Sequence, residues 1–414
     1  MNKSFFKGVL VGAFLSSFTI LLVYVVFSVL SYRNVPEQIK TDEMKGLSEL
    51  TENEQFKTKF GNIVDLINKY YIDEEGIDPD KAADGILDGL VASLGDKYAD
   101  YYPTDEFEKF TQKYEGRYGG LGAYVSQNSE TREIVIVNPF ENSPAEKAGI
   151  EPGDVILEIG GESVEGKELD YAVGLMKGEA GTKITLKLRR EKKEFEVEVT
   201  REIIDVPTVA HKVLDGEKIG YIYIATFDEV TVKQFDEAVT DLESKGCEGL
   251  IIDIRDNGGG RLDVVIDMAN RILSDGMIMY TETKKGIDER FMADNAQSYD
   301  KPMVVLINQY SASSSEVFAG AMQDREKAVI VGTTSYGKGV VQSIFPLTDL
   351  NDGSGLKLTT ARYYTPNGRN IDGVGIKPDV EVEYDKDKSV KVGSENRDNQ
   401  IVEAIKTLKD KIGG

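Results

Sequence analysis

Between Lys7 and Arg33 the chain runs for 25 residues without a charge, GVLVGAFLSSFTILLVYVVFSVLSY. At 1.5 Å rise per residue a helix of that length crosses a hydrocarbon core of about 30 Å, and no A-x-A-like cleavage site follows it. The pattern predicts an uncleaved transmembrane helix within an anchor over residues 1–33. Lys3 and Lys7 precede it while Arg33, Lys40 and Lys45 follow, so charge does not fix its orientation. The expectation is a single-pass protein of the cell membrane with its bulk extracytoplasmic. Residues 34–54 are polar and read as a stalk. Over 55–115 the apolar positions recur at helical spacing: Phe56, Phe60, Ile63, Val64, Ile67 and Tyr70 on one stripe, Ala82, Ile86, Leu90 and Leu94 on another. These predict packed helices and core positions, with subunit contact in a homo-oligomer left open. The acidic stretch 73–80 lacks calcium-loop spacing and reads as a turn.

From 116 to 204 the period changes to two. Short alternating runs such as EIVIVNPF, DVILEIGG, KITLKLRR and EFEVEVT predict a small β-rich domain. From 205 to 385 strands alternate with helical segments, and GLIIDIR and PMVVLIN are continuously apolar, as strands covered on both faces are. This predicts an α/β core, followed by a helical tail over 386–414 that docks through Ile401, Ile405, Leu408 and Ile412.

Composition narrows the chemistry. The 414 residues carry 49 Lys and Arg against 72 Asp and Glu, a net charge of −23 that argues against a nucleic-acid partner. One cysteine, Cys247, and one histidine, His211, allow no internal disulfide and too few ligands for a Cys/His zinc site. No metal or other cofactor is expected. His211 reads as a surface or linker residue rather than part of a triad.

The β-rich domain resembles a PDZ domain in GGLGA at 119–123, in SPAEKAGIEPGDVILEIGG and in its length. Backbone N–H groups of Gly120, Leu121 and Gly122 could form a nest for a peptide carboxylate beside a strand edge, or an ordinary glycine hairpin.

Three turns leave strands of the α/β core, where functional groups of such sheets gather. DIRDNGGG at 253–260 lets backbone approach a ligand closely. INQYSASSSE at 307–316 puts serines at a helix start, where a free hydroxyl meets unpaired N–H groups; Ser313 and Glu316 also fit a capping box. GTTSYGKG at 332–339 is one residue from a phosphate-binding loop, but Gly339 replaces the required hydroxyl and GVVQSIFPL reads as a strand. A lysine among glycines and apolar groups loses hydration and can become a general base.

Together these turns resemble the carboxyl-terminal processing, or tail-specific, serine peptidases. The likeness covers nearly everything after the anchor: the helical region, the PDZ module, DIRDNGGG, SASSSEVFAGAMQD and SYGKGVVQ. It implies a crotonase-like α/β core, Ser313 as nucleophile, Lys338 as general base and Gln342 as its supporting amide. It also implies an oxyanion hole from the N–H groups of Gly259 and Ser314. Apart from the likeness, Gln342 could equally be a solvent-facing strand residue. Where the family usually has N-P-G-G this chain has Asn257-Gly-Gly-Gly260, and Ser314 stands where many members have alanine. Ser311, Ser314 and Ser315 remain lesser nucleophile candidates. The function expected is a membrane-anchored endopeptidase that captures protein substrates by their free C-termini; a silent PDZ adaptor and a nucleotide-binding protein are the alternatives.

Overall fold

Asn53 starts the first helix by accepting the N–H groups of Gln55 and Phe56 at 2.9 and 3.0 Å, two donors that the helix itself cannot satisfy. This helix, α1 (Glu54–Tyr70), belongs to the first of two units, 1–82 and 83–414. The computed structural model describes residues 49–72, 78–294, 298–347, 353–392 and 395–413, with 112–115 described by backbone alone. The apolar stripe of α1 forms as a helix, but none of its residues is buried, so its expected core role is not met.

The expected fold class needs correction at the N-terminus. No helix among the described residues is long and apolar enough to cross a membrane. The physical reason is plain in α1, which is interrupted by Glu54, Lys57, Lys59, Asp65 and Lys69. The stretch 8–32, for which a span was expected, lies outside the described residues, as do most of the expected stalk and positions 73–77 of the acidic turn. What is described is a mixed α/β fold with a β-rich module, without a transmembrane helix.

After α2 (Pro79–Ala92) come β1 (Asp100–Tyr102) and α3 (Thr104–Glu115). The β-rich module contains β2 (Arg117–Gly120), β3 (Ala123–Gln127), β4 (Ile134–Pro139), α4 (Pro144–Lys147), β5 (Val155–Ile159), β6 (Glu162–Ser163), α5 (Leu169–Met176), β7 (Lys183–Arg190), β8 (Lys193–Thr200) and β9 (Glu202–Asp205). Its main sheet has the order β3-β4-β5-β7-β8, and β2 pairs separately with β9. Alternation sends Ile134, Ile136, Ile156, Leu186 and Leu188 inward against Ala172 of α5.

The core follows as β10 (Val209–Val213), β11 (Ile219–Ile224), α6 (Thr231–Ser244), β12 (Gly249–Asp253), α7 (Leu262–Ile272), β13 (Gly276–Thr283), β14 (Gly286–Ala293), β15 (Met303–Ile307), α8 (Ser314–Asp324), β16 (Ala328–Gly332), β17 (Val340–Pro346), β18 (Gly355–Tyr364), β19 (Val380–Glu381) and the terminal α9 (Asn399–Gly413). One sheet has the order β10-β11-β12-β15-β16-β19 and is parallel from β11 onward. Its apolar runs are continuous because both faces are covered. Leu250, Ile252, Val305 and Ile307 join the cluster holding residues of α6, α7 and α8. Their neighbours Ile251, Val304 and Leu306 meet Ala404, Ile405 and Leu408 of α9. Each such side chain contributes about 2 kcal/mol by leaving water. A second, antiparallel sheet, β1-β18-β13-β14 with β17 on β18, supplies the other wall of the site.

Candidate active site

The parallel strands β12, β15 and β16 release the three glycine- and serine-rich turns from their carboxyl ends. A cavity of about 400 Å³ lies where those turns meet β17 and β18, and Ser313, Ser314, Lys338, Gln342 and Lys357 all line it.

The serine turn separates its hydroxyls by what each one bonds. Ser311 Oγ donates to the Ile254 carbonyl at 2.7 Å, Ser314 Oγ to Gly260 at 2.9 Å and Ser315 Oγ to Asn257 at 2.8 Å. Those three hydroxyls fasten the serine turn to the 254–260 turn. Ser313 differs in its backbone too, with φ 57° and ψ −117°, a conformation that costs a non-glycine residue on the order of 1–3 kcal/mol. Its N–H donates to Glu316 Oε2 at 2.9 Å and its carbonyl accepts from the Tyr363 hydroxyl at 3.1 Å, so the strained residue is pinned from both sides.

Glu316 is more than the helix cap its spacing suggested. It is fully buried and also accepts from Ser335 Oγ at 2.5 Å, Gly337 N–H at 2.7 Å and Lys338 N–H at 2.8 Å. One carboxylate thus binds the serine turn to the lysine turn, and four donors offset the cost of burying it. Burial pushes its carboxyl pKa up, with the bonds from Ser335, Lys338, Gly337 and Ser313 pulling the other way. The lysine turn also needs its glycines: at Gly337, φ +87°, a Cβ would lie 2.9 Å from Val374 N, and at Gly339 2.5 Å from Asp372 N. The strand β17 follows, so the turn lacks the helix that a phosphate-binding loop requires.

Lys338 is half-buried, and its Nζ lies 4.6 Å from the centroid of the Tyr98 ring. Among the described residues no hydrogen bond joins that amine to Ser313. Burial lowers its pKa below the usual lysine range, and the charge of Lys357 lowers it further; Asp96 and Glu316 oppose this, and Lys97 adds to the lowering. Gln342 donates to Thr359 Oγ1 at 3.4 Å, a long bond. It lines the cavity together with Val341, and between these two residues the β17–β18 register shifts, with Thr360 of β18 as the extra residue.

Gly259, at φ +106°, packs against the serine turn: a Cβ would lie 2.8 Å from the Ala312 carbonyl oxygen and 2.9 Å from Ser313 Cβ. Its N–H donates to Asn257 Oδ1 at 2.8 Å. Ser314, the first residue of α8, carries one of the helix's unshared N–H donors. Asn257, whose importance the sequence did not reveal, is fully buried: its Nδ2 donates to Ile224 O at 2.9 Å, and its carbonyl accepts from Ala312 N–H at 3.0 Å.

Away from this cavity, Gly120 lies in β2, Leu121 is 1% exposed and Gly122 has φ +75°. The carbonyls of Leu121 and Gly122 accept from Ala145 and Phe140, both at 2.8 Å, while neither N–H reaches a backbone acceptor among the described residues. His211 is on β10, and its Nε2 lies 3.0 Å from Asp241 Oδ2 on α6, away from the cavity lining. No group of three or more His, Cys, Asp or Glu residues is arranged to hold a metal ion among the described residues.

Residues 218–382 match peptidase family S41, and residues 135–190 match a PDZ domain. The carboxy-terminal processing protease CtpA of Bacillus subtilis (strain 168) is 36% identical over 339 residues, covering 79% of this chain and 72% of that one. A carboxy-terminal-processing protease of Bartonella bacilliformis is 39% identical over 345 residues, 80% of this chain and 77% of the other. The solved structure of a photosystem II D1 C-terminal processing protease is also similar, at 28% identity and a TM-score of 0.46, covering 81% of this chain and 88% of that one. With likeness of that extent across both the peptidase core and the PDZ module, this chain belongs to peptidase family S41, the serine-type carboxy-terminal processing proteases.

Proposed function

We propose that the chain cleaves proteins near their C-terminal ends, with Ser313 as nucleophile, Lys338 as general base and the PDZ module as the receptor for the substrate's terminal carboxylate. The observation that carries this is the shared cavity, in which Ser313 is the one serine of its turn whose hydroxyl is not spent on a neighbouring carbonyl of the 254–260 turn.

The chemistry follows the serine–lysine logic. Neutral Lys338 Nζ takes the proton from Ser313 Oγ as the oxygen adds to the scissile carbonyl carbon. The carbonyl oxygen becomes an oxyanion that the Ser314 N–H meets, a contribution of about 3 kcal/mol for such a donor. Collapse breaks the C–N bond, and the departing amine receives the proton from Lys338. Water then attacks the acyl ester, gives its proton to Lys338 and releases the new carboxyl end as Ser313 is regenerated. Two local rearrangements belong to this cycle. The Lys338 amine turns from the Tyr98 ring toward Ser313, and Gly259 joins the oxyanion hole only by exchanging its bond to Asn257. Gln342 supports the amine without placing a charge beside it.

The N–H groups of Leu121 and Gly122 support the carboxylate-receptor role, since both are left without a backbone acceptor next to the β3 edge. The test compares S313A and K338A with the unmodified full chain on peptides ending in a free carboxylate or an amide. Turnover should fall at least about 1,000-fold in either variant while peptide binding persists, and amidation should raise KM. Undiminished cleavage by K338A ends the base assignment, and indifference to amidation ends the capture assignment.

A further inference from the structure

Lys357 is a second lysine on the wall of the same cavity, and the reaction above gives it no part. It lies opposite Asp100 in the antiparallel β1–β18 pair and donates to Asp100 Oδ2 and, at 2.8 Å, to the Tyr102 hydroxyl. Its side chain is 17% exposed and its ammonium stands near the Tyr102 and Phe110 rings. An ammonium this dry, with an anion and a phenol to hold it, is fixed in place and stays charged. Burial works to lower its pKa, but the bonds to Asp100 and Tyr102 prevail and raise it.

Its place on β18 matters as much as its charge. Side chains at every second position of a regular strand share a face, and here Lys357 and Thr359 are such positions; Tyr363 follows on the same strand, beyond the register shift between Thr359 and Ala361. Thr359 meets Gln342, and Tyr363 bonds the Ser313 carbonyl. One strand therefore serves the nucleophile, the supporting amide and this ammonium.

We propose that Lys357 is a positioning residue for the reaction: its ammonium, fixed by Asp100 and Tyr102 on the wall shared with Ser313 and Lys338, repels a second positive charge there and so keeps the Lys338 amine able to take the serine proton. A cation set beside a lysine is an established way to make that lysine basic at neutral pH. The inference rests on the Ser313/Lys338 assignment. The other groups facing Lys338 are Asp96, Lys97 and Tyr98 from the turn before β1, and Glu316 from α8. Asp96 and Glu316 favour the charged amine, Lys97 is solvent-exposed, and Lys357 is the cation that the fold buries. Arg261 and Asp263 also line the cavity and are bonded to each other.

The test is the rate at which a fluorophosphonate labels Ser313 in the full chain, followed from acid to alkaline pH. That rate reports activation of the hydroxyl without depending on capture of a peptide. In K357M the acid limb should move to higher pH, with labelling about tenfold slower at neutral pH and level with the unmodified chain in alkaline buffer. K357Q, which can still donate to Asp100 and Tyr102, carries the same expectation should K357M fold poorly. K357R keeps the charge and should keep the original limb. A uniform loss at every pH, or an equal defect in K357R, would show a merely structural lysine and overturn the proposal. K338A labelled as fast as the unmodified chain would instead overturn the base assignment, and this inference with it; K338A inert beside an unshifted K357M limb would overturn this inference alone.

Discussion

Glu316 Oε2 accepts the N–H of Lys338 at 2.8 Å and that of Ser313 at 2.9 Å, so a single oxygen ties together the backbones of the two residues assigned to the chemistry. Its partner oxygen takes Ser335 and Gly337. E316Q keeps the shape but turns an NH₂ group toward donors, leaving at least one buried N–H or hydroxyl unpaired. We expect a stability loss of about 1–3 kcal/mol and a fall in kcat of about 100-fold with KM little altered. Denaturant melts and steady-state kinetics check both; unchanged kcat in a stable E316Q would deny the carboxylate this role.

A methyl group at position 259 has no room, because Ala312 O, Ser313 Cβ and Ser314 N lie 2.8, 2.9 and 3.1 Å from where it would sit. The φ of +106° adds strain of about 1–3 kcal/mol for any other residue. At Gly258, next in the chain, a Cβ meets nothing within 4 Å. G259A should therefore be destabilised and label Ser313 at least about tenfold more slowly, whereas the melting temperature of G258A should stay near that of the unmodified chain. Equal Tm values for the two variants would mean that the close approach is not rigid.

Removing the proposed base should stabilise the fold at neutral pH. Burial, followed by the charge of Lys357, places the folded-state pKa of Lys338 below its unfolded value, against the pull of Asp96 and Glu316. A group lowered on folding stabilises the native state fully above its unfolded pKa, and that contribution is lost as pH falls through the folded value. At neutral pH, below the unfolded value, part of it is already gone, because the unfolded chain holds the proton more tightly than the buried amine does. K338M removes the ammonium and should have the higher Tm there, the gap closing as pH rises into the lysine range. The contact with the Tyr98 ring, about 1 kcal/mol, acts in the opposite direction, so the pH dependence of the gap is the signature. A gap constant with pH would contradict the displaced amine.

The serine and lysine turns were legible because each is a short local pattern at a strand end, and the strand after Gly339 was legible enough to set a phosphate-binding loop aside. Glu316 was visible only as a helix cap: Ser-x-x-Glu spacing reports the bond to Ser313, whereas the bonds to Ser335, Gly337 and Lys338 come from a turn about twenty residues away. Lys357 and Asp100 are farther apart still, and their pairing arises from the β1–β18 register. Helical spacing in α1 gave the helix but not its environment, since a stripe of Phe56, Phe60, Ile63 and Ile67 looks the same buried or exposed. The three lesser serines were separable from Ser313 only once their carbonyl partners were known.

Gln342 offers the sharpest test of the proposal that an amide supports Lys338. Its Nε2 reaches Thr359 Oγ1 at 3.4 Å, and it lines the cavity with Ser313 and Lys338. Q342E preserves size and places a carboxylate where an amide stood. An anion there stabilises the Lys338 ammonium, so the amine holds its proton to higher pH. We expect Q342E to lose about 10- to 100-fold of its kcat at neutral pH and to recover much of it in alkaline buffer. Q342A, with no new charge, should lose less at neutral pH and keep the original acid limb. A pH–kcat profile for Q342E that falls without shifting would assign Gln342 to substrate contact rather than to the lysine.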